Sequence, residues 1–258
     1  MFSERETKKG LRISILEGGF ATVHVTVTNG AFLTGYALLV GANDFQVALI
    51  MSIPLLAQVM NIFSVHAIEY FGRRKWISGI FSVMGRSLWA LLAIIPLIQS
   101  LSSNAILLTI IVFGILSAML SFSSTPWLSW MADLVPPHIR GRYFGRRNMV
   151  MGMVTMFVSI GAGKILDYYK LQNSLEVGYF IVLMIAVVCG ILAFIFLARQ
   201  PEPPYQRMPS YNFTSYVLQP FHVRRFRRLL YFYLFFIFAM GIASSYFPVY
   251  LLKTLKWS

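Results

Sequence analysis

Seven stretches of the chain stay apolar for long enough to cross a bilayer, and that repetition limits the fold more than any motif does. A helix of about 20 mostly apolar residues spans roughly 30 Å of hydrocarbon. The stretches lie at about 18–42, 46–68, 76–98, 104–129, 148–168, 176–198 and 229–252. None shows sustained strand alternation, and helices satisfy their own backbone hydrogen bonds in lipid. The expected fold class is therefore all-α, a polytopic helical membrane protein with the lipid bilayer as its solvent.

Composition supports lipid as the surrounding medium. The 258 residues are 57% hydrophobic and only 12% charged, whereas a soluble domain carries about a quarter charged residues. The net charge of +13 would suggest nucleic acid if the bases shared one folded surface. They do not. With a cytoplasmic N-terminus, 17 of the 22 Lys and Arg residues fall in four inside segments. These segments hold Arg5 to Arg12, Arg73 to Lys75, Arg140 to Arg147, and Arg199 to Arg228. That asymmetry is the positive-inside pattern, so the charge is topogenic and no nucleic-acid partner is expected. The chain is expected to lie in the cell membrane as a multi-pass protein. The first residues, "MFSERETKKGLRISIL", lack the apolar core of a cleavable signal. Cys189 is the single cysteine, which leaves no internal disulfide and no thiolate metal cluster. No cofactor or metal is expected.

The stretch 199–228, rich in proline, then aromatic, then basic, reads as a cytoplasmic linker. It divides a six-span block, 1–198, from one further span in 229–258. Two short motifs extend the topology. Between spans two and three stands Val65-His66-Ala67-Ile68-Glu69-Tyr70-Phe71-Gly72-Arg73-Arg74. Between spans four and five stand Asp133, Pro136, Pro137, Arg140 and Gly141.

This layout resembles the major facilitator superfamily, whose members have two six-helix halves joined by a cytoplasmic loop. The family's first motif runs Gly-x-Leu-x-Asp-(Arg/Lys)-x-Gly-(Arg/Lys)-(Arg/Lys). Glu69 stands for the acid, and Gly72, Arg73 and Arg74 match; Val65, Ala67 and Tyr70 depart from it. An acid, prolines and Arg-Gly in the second loop are shared by many relatives. The resemblance implies a six-helix bundle plus the first helix of a second bundle that stops after one span. An echo between "AFLTGYALLVGAND" in span one and "SYFPVYLLKTLKWS" in 245–258 fits that reading. A missing C-terminal half is the implied partner.

The resemblance also implies that Glu69, Gly72, Arg73, Arg74, Asp133, Arg140 and Gly141 form a cytoplasmic latch between halves. The plainer alternative is that they fix topology and bind headgroups. Thr22, Thr26, Asn29 and Tyr36 fall on one face of a continuous helix, and Ser117, Ser121 and Ser124 form a second polar stripe. Family resemblance places spans one and four at a central cavity, so these residues are substrate-path candidates; interhelical packing through hydroxyls is the alternative. His24 lies on the other side of span one and reads as a packing residue. Arg86 sits near the middle of span three, where a charge costs about 2.5–3.5 kcal/mol. Gly79, Ser82, Ala90 and Ala93 share its face and turn it into the bundle. No acid is expected near it, so it serves carbonyls and water, an anionic solute, or an acid of the other half. The functional expectation is a secondary transporter of a small solute by alternating access. A non-transporting scaffold is the second class, and no nucleophile–base or metal constellation suggests an enzyme.

Overall fold

The computed structural model describes residues 4–98, 104–207 and 213–253, with the side chains of 4, 216, 217 and 242–253 outside that description. The described residues are helices and connections, with no strand among them. The chain divides into two compact units, 1–206 and 207–258.

Five expected spans are matched by helices long and apolar enough to cross a membrane: Asp44–Phe71, Arg74–Leu97, Ala105–Leu134, Pro137–Leu171 and Leu175–Ala198. The expected first span differs. It is built from two helices, α1 (Glu4–Val27) and α2 (Gly30–Leu39). The polar Thr28-Asn29 pair and Gly30, at φ 56°, break the run. The break leaves carbonyls without backbone donors, and side chains serve them. Thr28 Oγ1 donates to His24 O at 2.7 Å, and Asn29 Nδ2 donates to Val25 O at 3.0 Å. Such local bonds make non-helical backbone tolerable at membrane depth.

The break also resets the helical register. Tyr36 therefore leaves the face shared by Thr22 and Asn29, contrary to the continuous-helix expectation. It is buried, donates to Leu92 O at 2.7 Å, and meets the Tyr179 ring edge-on at 6.0 Å. Tyr36 is packed between the helices that carry Leu92 and Tyr179.

The second span is α3 (Asp44–Ala57) and α4 (Met60–Phe71), interrupted at Gln58 and Val59 after Pro54. An Asn43–Gln46 capping box starts it. The third is α5 (Arg74–Ser87) and α6 (Trp89–Ile94), and the fourth is α7 (Ala105–Leu134). Pro136 and Pro137 end α7, and a 3-10 turn at Pro137–Ile139 leads into α8 (Arg140–Leu171). The arginines assigned to a loop at 140–147 thus lie on the first turns of a helix. Proline at the start of a helix lacks only a donor that would be unpaired there anyway. The sixth span is α9 (Leu175–Ala198).

Within this unit α1 packs on α8 and α9, α5 on α7 and α9, and α3 and α4 on α7. One apolar cluster joins Leu33, Tyr36, Trp89, Leu92, Phe113, Tyr179 and Leu183. Another joins Leu11, Trp130, Met131, Leu134, Tyr143 and Leu197. Their members come from opposite ends of α7 and α9, so the middle turns of those helices lie between two apolar plugs.

The second unit contains α10 (Phe213–His222) and α11 (Arg224–Lys253). α11 covers the expected seventh span and opens with Arg224, Arg225, Arg227 and Arg228. The sequence echo expected at 245–258 falls outside the described side chains, and its residues 254–258 lie outside the described residues altogether.

If Tyr36 anchors α2 to α6 rather than lining a path, Tyr36→Phe lowers stability by about 0.5–1.5 kcal/mol. Thermal unfolding of the purified protein in detergent measures that loss.

Candidate functional site

Two polar regions interrupt the apolar bundle, one between the plugs and one at the end where α4 turns into α5.

The first is a pair of adjoining cavities. The larger, about 400 Å³, draws on α1, α5, α7, α8 and the end of α9, with Glu17, Thr22, His24, Asn29, Ser82, Arg86, Ser124 and Arg147 among its walls. The smaller, about 230 Å³, is lined by Asn29, Gln58, Trp89, Ser117, Ser121 and Ser124. Thr28, Asn29, Leu120 and Ser124 belong to both, so the two form one recess. Of the eight residues expected on a substrate path, six therefore meet here: Thr22, Asn29, Arg86, Ser117, Ser121 and Ser124. Thr26 does not line either cavity; its hydroxyl donates to Thr22 O at 2.8 Å and lies 3.4 Å from Thr155 Oγ1. Tyr36 is sealed in the plug above.

Arg86 enters the recess because α9 gives way. A side chain at Gly190 would meet Arg86 Cβ at 2.9 Å and Cδ at 3.0 Å. The stem of Arg86 fills that gap, and Nη1 ends sealed from solvent with no hydrogen-bond partner among the described residues. The expectation that no acid stands near it is corrected: Glu17 lines the same cavity and is only 3% exposed. Glu17 looked terminal because the apolar run starts at residue 18, but the helix begins at Glu4. Glu17, Ala21, His24 and Thr28 repeat at helical spacing on the cavity face. That carboxylate, a helical repeat away from His24, is the signal the apolar count passed over.

Arg147 is the other residue missed. Its Nη2 lies 3.7 Å from Glu17 Oε2, beyond hydrogen-bond reach, and its guanidinium lies over the Trp127 ring at 4.9 Å. A Cβ at Gly18 would meet Arg147 Nη2 at 2.6 Å, so the bare backbone admits the guanidinium. His24 is held as a packing residue would be: Nδ1 donates to Ala186 O at 3.2 Å and the ring meets Trp89 edge-on. Its Nε2 is buried without a hydrogen-bond partner among the described residues, and the ring also borders the cavity.

The second region gathers much of the expected latch. Gly72, at φ 66°, closes α4 in the left-handed conformation that glycine adopts without strain. The turn delivers Arg74, fully buried, to the end of α7. Its Nη1 donates to Asp133 Oδ2 at 2.5 Å, Ser129 Oγ at 3.1 Å and Ser129 O at 3.2 Å. Its Nη2 donates to Pro203 O at 3.2 Å, and the Tyr205 ring lies 4.9 Å from the guanidinium. Glu69 accepts from Tyr205 Oη. Lys75 binds the same segment through Glu202 and the carbonyls of Ala198 and Gln200. Trp130 Nε1 donates to Pro201 O at 3.0 Å.

Residues 199–206, read as linker, thus form a strap fastened to the bundle. Prolines removed the expectation of helix there, but their carbonyls remain free to accept. Arg73 is exposed and outside the network. Arg140 is also apart: its Nη2 donates to Ala132 O at 2.8 Å, capping the end of α7. Gly141 lies in α8 beside open space, so nothing at that position requires glycine.

A model of the Major Facilitator Superfamily matches residues 18–258. The chain belongs to the Major Facilitator Superfamily. It is a multi-pass membrane transporter of that family, and the matched span takes in the strap and every recess residue except Glu17. No curated protein and no solved structure matches the chain.

For this transporter, Arg74→Lys keeps the charge but loses the planar fork. It is expected to cost about 1–3 kcal/mol in thermal unfolding, and to speed tryptic cleavage at Arg199 and Arg207 as the strap loosens. Unchanged proteolysis would leave Arg74 without a role in holding the strap.

Proposed function

We propose that the transporter carries a small solute through the recess by alternating access, as a secondary transporter of the cell membrane with its N-terminus in the cytoplasm. The observation that supports this is the recess itself. Hydroxyl and amide side chains from α1, the Thr28-Asn29 break and α7 converge there around open volume. Polar groups at membrane depth are costly unless they serve packing, a path or a partner. Ser117, Ser121 and Asn29 line open volume. A volume of about 400 Å³ is in the range of small-molecule sites.

The second six-helix bundle implied by family resemblance is the partner against which the first would move, with α11 as its first helix. In this reading the Arg74–Asp133 network keeps the cytoplasmic end of the first bundle rigid. Asp133 is the member with reach beyond it, since its side chain is 53% exposed against 1% for Arg74. A latch to the other bundle would run through Asp133 and the exposed Arg73.

Filling the recess tests the path. In proteoliposomes offered a panel of labelled anions, sugars and amphiphiles, the full chain is expected to take up at least one. Ser121→Trp is expected to abolish that uptake with little change in melting temperature. Uptake that survives the tryptophan would move the path elsewhere.

A further inference from the structure

The charges inside the recess specify a class of solute. We propose that the larger cavity binds a small oxyanion, a carboxylate or phosphate, between Arg86 and Arg147, with Glu17 as the internal carboxylate that competes for them. This rests on the recess being the transport path, and it adds which chemistry that path accepts.

Charge balance comes first. The ionisable groups lining the cavity are Glu17, His24, Arg86 and Arg147. His24 donates from Nδ1 to a carbonyl and so is written with its proton there. Two guanidiniums then face one carboxylate, an excess of one positive charge in a space walled by helices. Such an excess is costly unless an anion meets it.

Hydrogen-bond balance points the same way. Arg86 Nη1, Arg147 Nε and Trp127 Nε1 are all buried donors without a partner among the described residues, and all three side chains line the cavity. On the acceptor side stand Glu17 Oε2 and His24 Nε2. The carboxylate does not close the account, because it stops 3.7 Å from Arg147. Serine and threonine hydroxyls can turn either way, whereas guanidinium and indole can only donate. An acceptor-rich ligand is what these donors lack, and a planar fork matches carboxylate or phosphate oxygens in pairs.

The placement is also built rather than incidental. Gly190 makes room for the stem of Arg86 and Gly18 for the head of Arg147. Two helices thus surrender a side chain so that two cations can approach one space. Ser78, Ser82 and Ser123 add hydroxyls around it.

The test uses the full chain in a neutral maltoside detergent, read by Trp127 fluorescence because that ring stacks on Arg147. A Trp127→Phe variant identifies the signal. Inorganic phosphate, acetate and succinate are titrated against glucose as the neutral control. Saturable binding of at least one anion is expected, weakened about tenfold or more by Arg86→Gln and less by Arg86→Lys. Glu17→Gln, which removes the competing carboxylate, is expected to tighten binding several-fold. Added phosphatidylglycerol separates the sources: no displacement assigns a dissolved oxyanion, and displacement assigns a lipid headgroup phosphate. Absence of any saturable anion binding by folded protein would overturn the proposal, as would glucose binding as well as the anions with Arg86→Gln silent. Uptake separates this from the transport reading. Transport of a neutral solute, indifferent to Arg86, would sink the anion class alone, whereas anion binding without uptake of any solute would sink the transport reading alone.

Discussion

Everything in the first unit follows from the need to satisfy polar groups away from water. Regular helix meets that need for the backbone, and so the chain is helix wherever lipid is the solvent. Where helix stops, side chains take over. Thr28 and Asn29 bind the carbonyls released between α1 and α2. Arg140 does the same at the end of α7. Each interruption is therefore a place where polar atoms collect, and the first interruption opens directly onto the recess. The same constraint that enforces helices gathers polar side chains at their breaks.

The bundle is closed at one end by stacked aromatic and aliphatic side chains and at the other by a charged knot. Trp89, Phe113, Tyr36 and Tyr179 form the first plug, linked by edge-on ring contacts. The other end combines an apolar cluster around Trp130 with the Arg74 network. Arg74 is fully buried yet meets a carboxylate, a hydroxyl and two carbonyls, which offsets the desolvation of its charge. Three of those partners come from α7 and one from the strap, so one guanidinium ties the α4–α5 turn, a long helix and the chain beyond α9.

Apolar run length made the spans legible because lipid imposes it directly. Five runs fall within membrane-length helical stretches, although the fifth begins at Pro137, well before the expected 148. Residues whose role depends on a register or a neighbour were less legible. Counting residues as one continuous helix puts Tyr36 on the polar face, but the helix breaks at Asn29. An apolar run marks where lipid begins, not where helix begins, so a run starting at residue 18 leaves Glu17 out of view. Arg147 was counted as loop because topology rules weigh charge without asking which helix face carries it. Arg86 was turned inward correctly by the small residues on its own face. Its partner on α9, Gly190, is a contact between distant parts of the chain that no local pattern states. The strap was read as linker because proline reports the absence of helix, not the absence of contacts.

The central claim is that the recess is a path reached from both sides of the membrane. Ser124, shared by both cavities, is the position at which to test it. With Cys189 replaced by serine, a Ser124→Cys variant in sealed, oriented vesicles is exposed to a membrane-impermeant maleimide from one face and then from the other. Alternating access predicts labelling from both faces, slowed by a bound solute. Labelling from one face alone, or from neither in folded protein, would contradict it.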